Sequence, residues 1–508
     1  MYSSILTGCI SGLDAAIIHA EVDISTGLPG FSLVGSLSNE VKEARERVQV
    51  ALKNVGFHIP PNKITVNLSP ANIRKEGTGF DVPIAIGLLQ AMGHFTEKKI
   101  ENIIFVGELG LNGEVKPVKG ILPIVRTAAK AGVRCCFVPY ENSMEGSMIS
   151  EIDVRGVTNI GELVEYLKYD KHLPVCKSSF SNLAALGSEI NALDFSQVKG
   201  QRMAKRGAEI AAAGFHNMLM SGPPGGGKSM IAKRIPWILP PMTEEECLEV
   251  SSIYSVAGKL SSEKPLVLQR PFVAPHHTST YSALVGGGAK GRPGAISLAH
   301  RGILFLDELT EFPRPVLECL RQPIEEKQIV ISRNYGTYIY PADFMLICAM
   351  NPCKCGYHPD KNKCRCTAAE LQQYRSKISG PLLDRIDVYA ETSEVDIFSL
   401  KGGRQEEATE KIRNRVMLAR MRQRDRFKNK SYMFNSEMDG SDIDKYCVLG
   451  SGQQKLLEAA YKKLQLSARA YHRVLKVART IADLEDKDEI GLDHLSEALS
   501  YRMTERKE

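Results

Sequence analysis

Ser221-Gly-Pro-Pro-Gly-Gly-Gly-Lys-Ser229 is the stretch whose residue types and spacing most directly specify chemistry. Gly222, Gly227, Lys228 and Ser229 match G-x-x-x-x-G-K-[ST], where glycines let backbone N–H groups converge on phosphate oxygens without a Cβ in the way. On this reading Pro223, Pro224, Gly225 and Gly226 complete the cradle, and Lys228 reaches the β- and γ-phosphates as a point charge. The Ser229 hydroxyl then ligates Mg²⁺. The alternative is a glycine-rich surface turn. Apolar Met218-Leu-Met220 before the loop and helix-compatible residues Met230 to Ile235 after it favour a strand, a tight loop and a helix, and with them a bound nucleotide.

A second element belongs with the first. Ile303-Leu-Phe-Leu-Asp-Glu308 reads as a buried parallel strand with two acids at its carboxyl end, where open α/β sheets place ligands. Asp307 is placed to hold Mg²⁺ and Glu308 to polarise an attacking water, which makes ATP hydrolysis the leading chemistry. The apolar Phe344 to Met350 ends in Asn351, placed to orient water at the γ-phosphate. Arg385, at the end of a short helical stretch in Gly380-Pro-Leu-Leu-Asp-Arg-Ile-Asp387, suits a finger reaching a neighbouring subunit's γ-phosphate, although Asp384 or Asp387 offers it an ordinary salt bridge.

Cys353, Cys355, Cys364 and Cys366 crowd together while the other eight cysteines are scattered, a pattern of reduced thiols plus one metal site rather than a disulfide framework. Four soft ligands favour tetrahedral Zn²⁺, with free thiols as the alternative. His276 and His277 lack a third ligand at set spacing and read as loop hydrogen-bonders. Ile329 to Tyr340 alternates around Asn334-Tyr-Gly336 as a hairpin, whose tip sets Arg333 beside Tyr335 and Tyr338. That grouping suits phosphate contact and base stacking on DNA, or simple solvation.

These residues need scaffolding. A chain of 508 residues accommodates about three domains of ~150 residues. The net charge of +6 is too mild to name a partner, and no apolar run approaches the roughly 18 residues of a membrane span. With no Lys or Arg between Met1 and Val41, there is no signal n-region, so a cytoplasmic protein with no membrane partner is expected. Residues 1–168 mix strands (Ala16–Val22, Lys63–Leu68) with helices (Glu40–Val55, Pro83–Met92, Ile121–Ala131), and 169–190 read as a linker. Residues 191–395 carry the nucleotide motifs on an α/β frame, with the Cys-rich insert at 351–367. The 79 residues between Lys228 and Asp307 demand an extra element, and Thr243-Glu-Glu-Glu246 opens a capped helix there. Residues 396–508 are helical (Glu406–Arg426, Ser451–Leu464, Ser467–Leu484, Leu492–Arg502), and the first of these helices with its tail is strongly basic, tracking phosphates or facing solvent.

Gly107 to Leu122, with Ala131-Gly-Val133 and Val138-Pro139, resembles the proteolytic domain of Lon-type proteases. The serine and lysine of that family's dyad fall on Gly79 and Leu122, so no acyl transfer is expected of this domain. The phosphate loop, Pro275-His-His-Thr278, Gly294 to His300, Leu320-Arg-Gln-Pro323, Ala349 to Cys353 and Ser467-Ala-Arg469 resemble the ComM/YifB family of magnesium-chelatase-like AAA+ ATPases over nearly the whole chain. That resemblance implies an α/β P-loop ATPase core with a parallel sheet, a C-terminal helical lid and a Lon-like (ribosomal S5 domain 2-like) α+β front domain. It further implies a hexameric ring with ATP between subunits, Arg385 as finger and Arg469 as lid arginine, with Arg473 a nearby rival. The load it implies is single-stranded or branched DNA, moved by branch migration or helicase action during natural transformation. A protein-remodelling or chelatase-like motor is the alternative.

Overall fold

A computed structural model describes residues 1–178, 180, 193–288, 291–333, 336–394 and 406–502. Half of the expected linker (179 and 181–190), the hairpin-tip residues 334–335 and residues 395–405 lie outside the described residues. Among the described residues no helix is long and apolar enough to cross a membrane.

The front of the chain builds a seven-stranded mixed sheet. Its order is Gly30–Val34, Lys63–Ser69, Asp14–Ser25, Tyr2–Ser11, Ile103–Phe105, Cys135–Pro139 and Asp153–Val157. Lys63–Ser69 buries alternate residues, as a strand with one covered face must. Helix Asp81–Ala91 is apolar nearly all round and sinks into the core, and its buried Asp81 is held by Arg47 at 2.6 Å and 2.9 Å. Leu122, the position matching the Lon lysine, is a fully buried core residue of helix Ile121–Lys130, and Gly79 has no side chain to act as a nucleophile.

Five parallel strands form the second sheet, in the order Phe272–Val273, Ile303–Leu306, Met345–Met350, Met218–Ser221 and Val388–Glu391. Ile303–Leu306, Met345–Met350 and Met218–Ser221 are buried at every residue, because helices and loops cover both faces of a parallel sheet. Their carboxyl ends line up, which brings Gly222, Asp307 and Asn351 together along one sheet edge.

The extra element between Lys228 and Asp307 is helix Glu244–Ala257, opened by the expected capping box between Thr243 and Glu246. It joins the two sheets into one body. Gly120 N–H donates to Ser255 O at 3.2 Å, and the Ser255 hydroxyl donates to the buried Glu145 carboxylate, which also accepts from Leu122 N–H at 3.0 Å. Leu248, Leu266 and Leu268 pack into the same cluster as Ile121, Ile124 and Val125. A second seam lies at the hairpin Gln328–Arg333/Gly336–Pro341, where the Tyr338 ring rests against Gly12 and Leu13 joins the core beneath the hairpin.

Helices Thr409–Arg426, Ser451–Leu464, Ala468–Leu484 and Leu492–Ser500 close the described chain. The first and third pack on helix Arg202–Gly214 in the core that also covers one face of the parallel sheet. A buried carboxylate, Asp483, organises this bundle. It accepts from Arg426 at 2.7 Å and 2.6 Å, from Asn435 at 2.8 Å and from Arg479 at 3.2 Å.

The stretch from Arg314 to Glu326 forms two short helices, Arg314–Glu318 and Arg321–Glu326. Part of the basic stretch is engaged within the chain. Arg415 pairs with Glu209 and Glu407, Arg426 with Asp483, Arg422 with Asp486 and Asp488, and Arg420 stacks 3.6 Å over the Phe434 ring. Arg424 and Lys428 remain exposed.

Candidate ATP-hydrolysis site

The phosphate loop enters from strand Met218–Ser221, tied on both sides: Gly222 N–H donates to Met350 O at 3.3 Å and Thr392 N–H to Ser221 O at 2.8 Å. The loop ends where helix Lys228–Ala232 begins, with Gly227 at φ +77°, a conformation that favours glycine. Gly222 answers to a different constraint. A Cβ there would stand 2.1 Å from Thr392 Oγ1 and 2.3 Å from the Thr392 carbonyl oxygen. Gly222→Ala is therefore expected to displace the loop and weaken nucleotide binding by at least tenfold, measured by titration with a fluorescent ATP analogue.

Lys228 spans the mouth of the loop. Its ammonium donates to Gly222 O at 2.6 Å, Pro223 O at 2.9 Å and Asn351 Oδ1 at 3.2 Å. Burial lowers its pKa, and the nearby Asp307 carboxylate opposes that shift. Across the cleft the Ser229 hydroxyl donates to Asp307 Oδ2 at 2.7 Å. A hydroxyl and a carboxylate facing each other are the hard oxygen donors Mg²⁺ prefers, so the pair fits the metal role expected of it.

Glu308 follows Asp307 with φ +51°, a left-handed backbone that costs a non-glycine residue roughly 1–2 kcal/mol. Its N–H donates to Asp307 Oδ1 at 3.0 Å, and its largely exposed carboxylate stands 3.2 Å from His277 Nδ1. His276 bonds Thr278 Oγ1 at 2.8 Å, as a loop histidine should. The contact from His277 to Glu308 was not anticipated from residue order. Its only signal is that Pro275-His-His-Thr278 follows the strand that pairs with the acidic one.

The two arginines sit differently. Arg385 is buried, donates to Pro381 O at 2.6 Å and forms an ion pair with Glu325, rather than with Asp384 or Asp387. Arg469 is exposed at the start of helix Ala468–Leu484. Arg473, its rival, is anchored to Asp387 at 3.0 Å. Burial works against ionisation of Asp387, yet Arg473 and His216 hold its carboxyl well below the usual range.

The four expected metal-site cysteines come together, their sulfurs all within 4.8 Å of one another. Separations of 3.3, 3.8 and 3.6 Å among Cys353, Cys355 and Cys364 lie at or somewhat below the ~3.8 Å edge of a tetrahedron with 2.3 Å Zn–S bonds. Arg333 lies at the end of its hairpin strand against Gly287, and Tyr335 falls outside the described residues.

Residues 194–400 match the family model described as magnesium chelatase, subunit ChlI; residues 20–142 match subunit ChlI of Mg-chelatase, and 406–502 its C-terminal model. The chain is 41% identical over 493 residues to competence protein ComM of Haemophilus influenzae, covering 97% of this chain and 95% of that one. It is 42% identical over 506 residues to YifB of Escherichia coli K12, covering 99% and 97%. This chain belongs to the ComM/YifB family. Membership places it among magnesium-chelatase-like AAA+ ATPases, whose ligands are ATP and Mg²⁺. Its N-terminal part resembles Lon: the chain is 24% identical over 170 residues to a Lon protease of Mycolicibacterium smegmatis, which is 30% of this chain and 21% of that one.

Proposed function

We propose that this chain is an ATP-hydrolysing ring motor acting on single-stranded or branched DNA, promoting branch migration or unwinding in recombination and natural transformation. The observation that carries the ATPase reading is the convergence of Lys228, Ser229, Asp307, Glu308 and Asn351 at adjoining strand ends. Lys228 and the loop amides bind and neutralise the β- and γ-phosphates. Glu308 orients and polarises the attacking water, with His277 fixing its carboxylate, and Asn351 holds the γ-phosphate side of the cleft. Mg²⁺ held by Ser229 and Asp307 would supply charge neutralisation on the phosphates.

In a hexamer the site is completed in trans. Arg385 of one subunit would exchange Glu325 for the neighbour's γ-phosphate, and Arg469 would reach the phosphates from the lid. We also assign Zn²⁺ to the four cysteines, as a structural ion that fixes the segment following Asn351.

DNA as the load is supported by the competence relative and by Arg333 on the hairpin. The engagement of Arg415, Arg420 and Arg426 within the chain favours a second reading, a chelatase-like or protein-remodelling motor, because it takes three basic side chains of the helix away from phosphate contact. The two separate cleanly. ATP hydrolysis is expected to rise on adding single-stranded or four-way-junction DNA, and Arg333→Ala to weaken DNA binding by about 5- to 10-fold while leaving DNA-free hydrolysis intact. Absence of both stimulation and salt-sensitive binding would leave the second reading.

A further inference from the structure

We propose that the Cys353–Cys366 knuckle is a metal-dependent buttress of the phosphate loop, so that zinc occupancy and nucleotide affinity are thermodynamically linked. This rests on the assignment of zinc to the four cysteines and extends it to the neighbouring site. One direct contact and two links through neighbouring residues join the knuckle to the nucleotide cradle.

Asn351, two residues before Cys353, accepts from the Lys228 ammonium. Gly356, at φ +90° in the turn between the cysteine pairs, lies directly against the Pro224 ring: a Cβ there would stand 2.8 Å from Pro224 Cδ and 3.0 Å from Cγ. On the opposite side Lys363 donates to both carboxylate oxygens of Glu394, at 2.7 Å and 2.6 Å. Glu394 lies two residues beyond Thr392, whose hydroxyl and carbonyl close on Gly222 and Gly226. The knuckle thus touches one wall of the loop through Gly356 and reaches the other through Lys363.

The knuckle has little else to hold its shape. Between Cys353 and Cys366 only Cys353 and Gly356 are buried, and no apolar side chain of the segment belongs to a core cluster. A loop so exposed is ordered mainly by whatever binds its four sulfurs. A half-exposed pair such as Lys363–Glu394 adds little by itself, but it transmits position once the loop is fixed. Removal of the ion frees the Gly356 turn and withdraws support from Pro224. The loop must then be ordered by the nucleotide itself, at the expense of affinity. Linkage is reciprocal, so bound nucleotide must retain zinc.

The test uses the full-length protein. Zinc content is measured by elemental analysis. A fluorescent ATP analogue is titrated in excess Mg²⁺ before chelator treatment, after it, and after zinc is restored. Zinc loss to a chromogenic chelator is timed with and without a non-hydrolysable ATP analogue. The expected results are about one zinc per chain, a roughly tenfold weaker nucleotide affinity without zinc that zinc restores, and zinc loss slowed by nucleotide to a similar extent. Lys363→Ala, which spares all four cysteines, is expected to keep its zinc and to show a smaller difference between the two forms. A protein without zinc overturns the metal assignment and the linkage with it. Full zinc with equal nucleotide affinity in both forms overturns the linkage alone. Cys364→Ser serves as a second route to the zinc-free form, with circular dichroism checking that it remains folded.

Discussion

Lys228→Ala is expected to abolish measurable ATP turnover, and Glu308→Gln to separate binding from hydrolysis. The lysine ammonium is held at the phosphate cradle by three oxygens, Gly222 O, Pro223 O and Asn351 Oδ1. Its loss removes both ground-state neutralisation and stabilisation of transition-state charge, and the latter alone is worth about 10²–10³ in rate. Glu308→Gln keeps the shape and the cradle but removes the group that polarises water, so kcat should fall about 10²–10⁴-fold with nucleotide affinity nearly unchanged. Steady-state phosphate release and fluorescent-nucleotide titration measure the two effects apart. A Glu308→Gln protein that turned over normally would remove Glu308 from the mechanism. Because burial lowers the Lys228 pKa, the alkaline decline of activity should begin below the ordinary lysine range.

The second large effect lies in the helical bundle. Asp483→Ala is expected to destabilise it by about 3–5 kcal/mol, because truncation leaves Arg426 and Arg479 facing each other with their shared carboxylate gone. Arg479 is nearly fully buried and satisfied otherwise only by the carbonyls of Lys487 and Asp488, so its charge has nowhere to turn. The loss should lower the thermal midpoint by on the order of 10 °C. The control is Asp488→Ala: its side chain is 95% exposed and its pairing with Arg422 is a surface contact, so no measurable change is expected. Equal midpoints for both variants would refute the organising role of Asp483.

The parts of the site legible in the sequence are those with local signatures. The phosphate loop needs its glycines, lysine and serine within nine residues, the acids sit at the end of one short apolar run, and the cysteines crowd one loop. The capping box at Thr243 was legible because capping is a contact across three residues. Partners far apart in the chain were not. Arg385 finds Glu325, His277 finds Glu308 and Arg415 finds Glu209 through the packing of separate elements. The basic run showed the same limit, since a row of arginines reads alike whether it faces solvent or finds a buried acid such as Glu209 or Asp483. Tyr338 suited base stacking by its neighbours, yet it is spent against Gly12.

Helix Glu244–Ala257 grips the front sheet through Gly120, Glu145 and a shared apolar cluster, and the hairpin grips it again at Gly12. Two grips on separate elements hinder rotation about either one alone, so under load the front sheet and the nucleotide-binding sheet respond as one rigid unit rather than as two beads on a string.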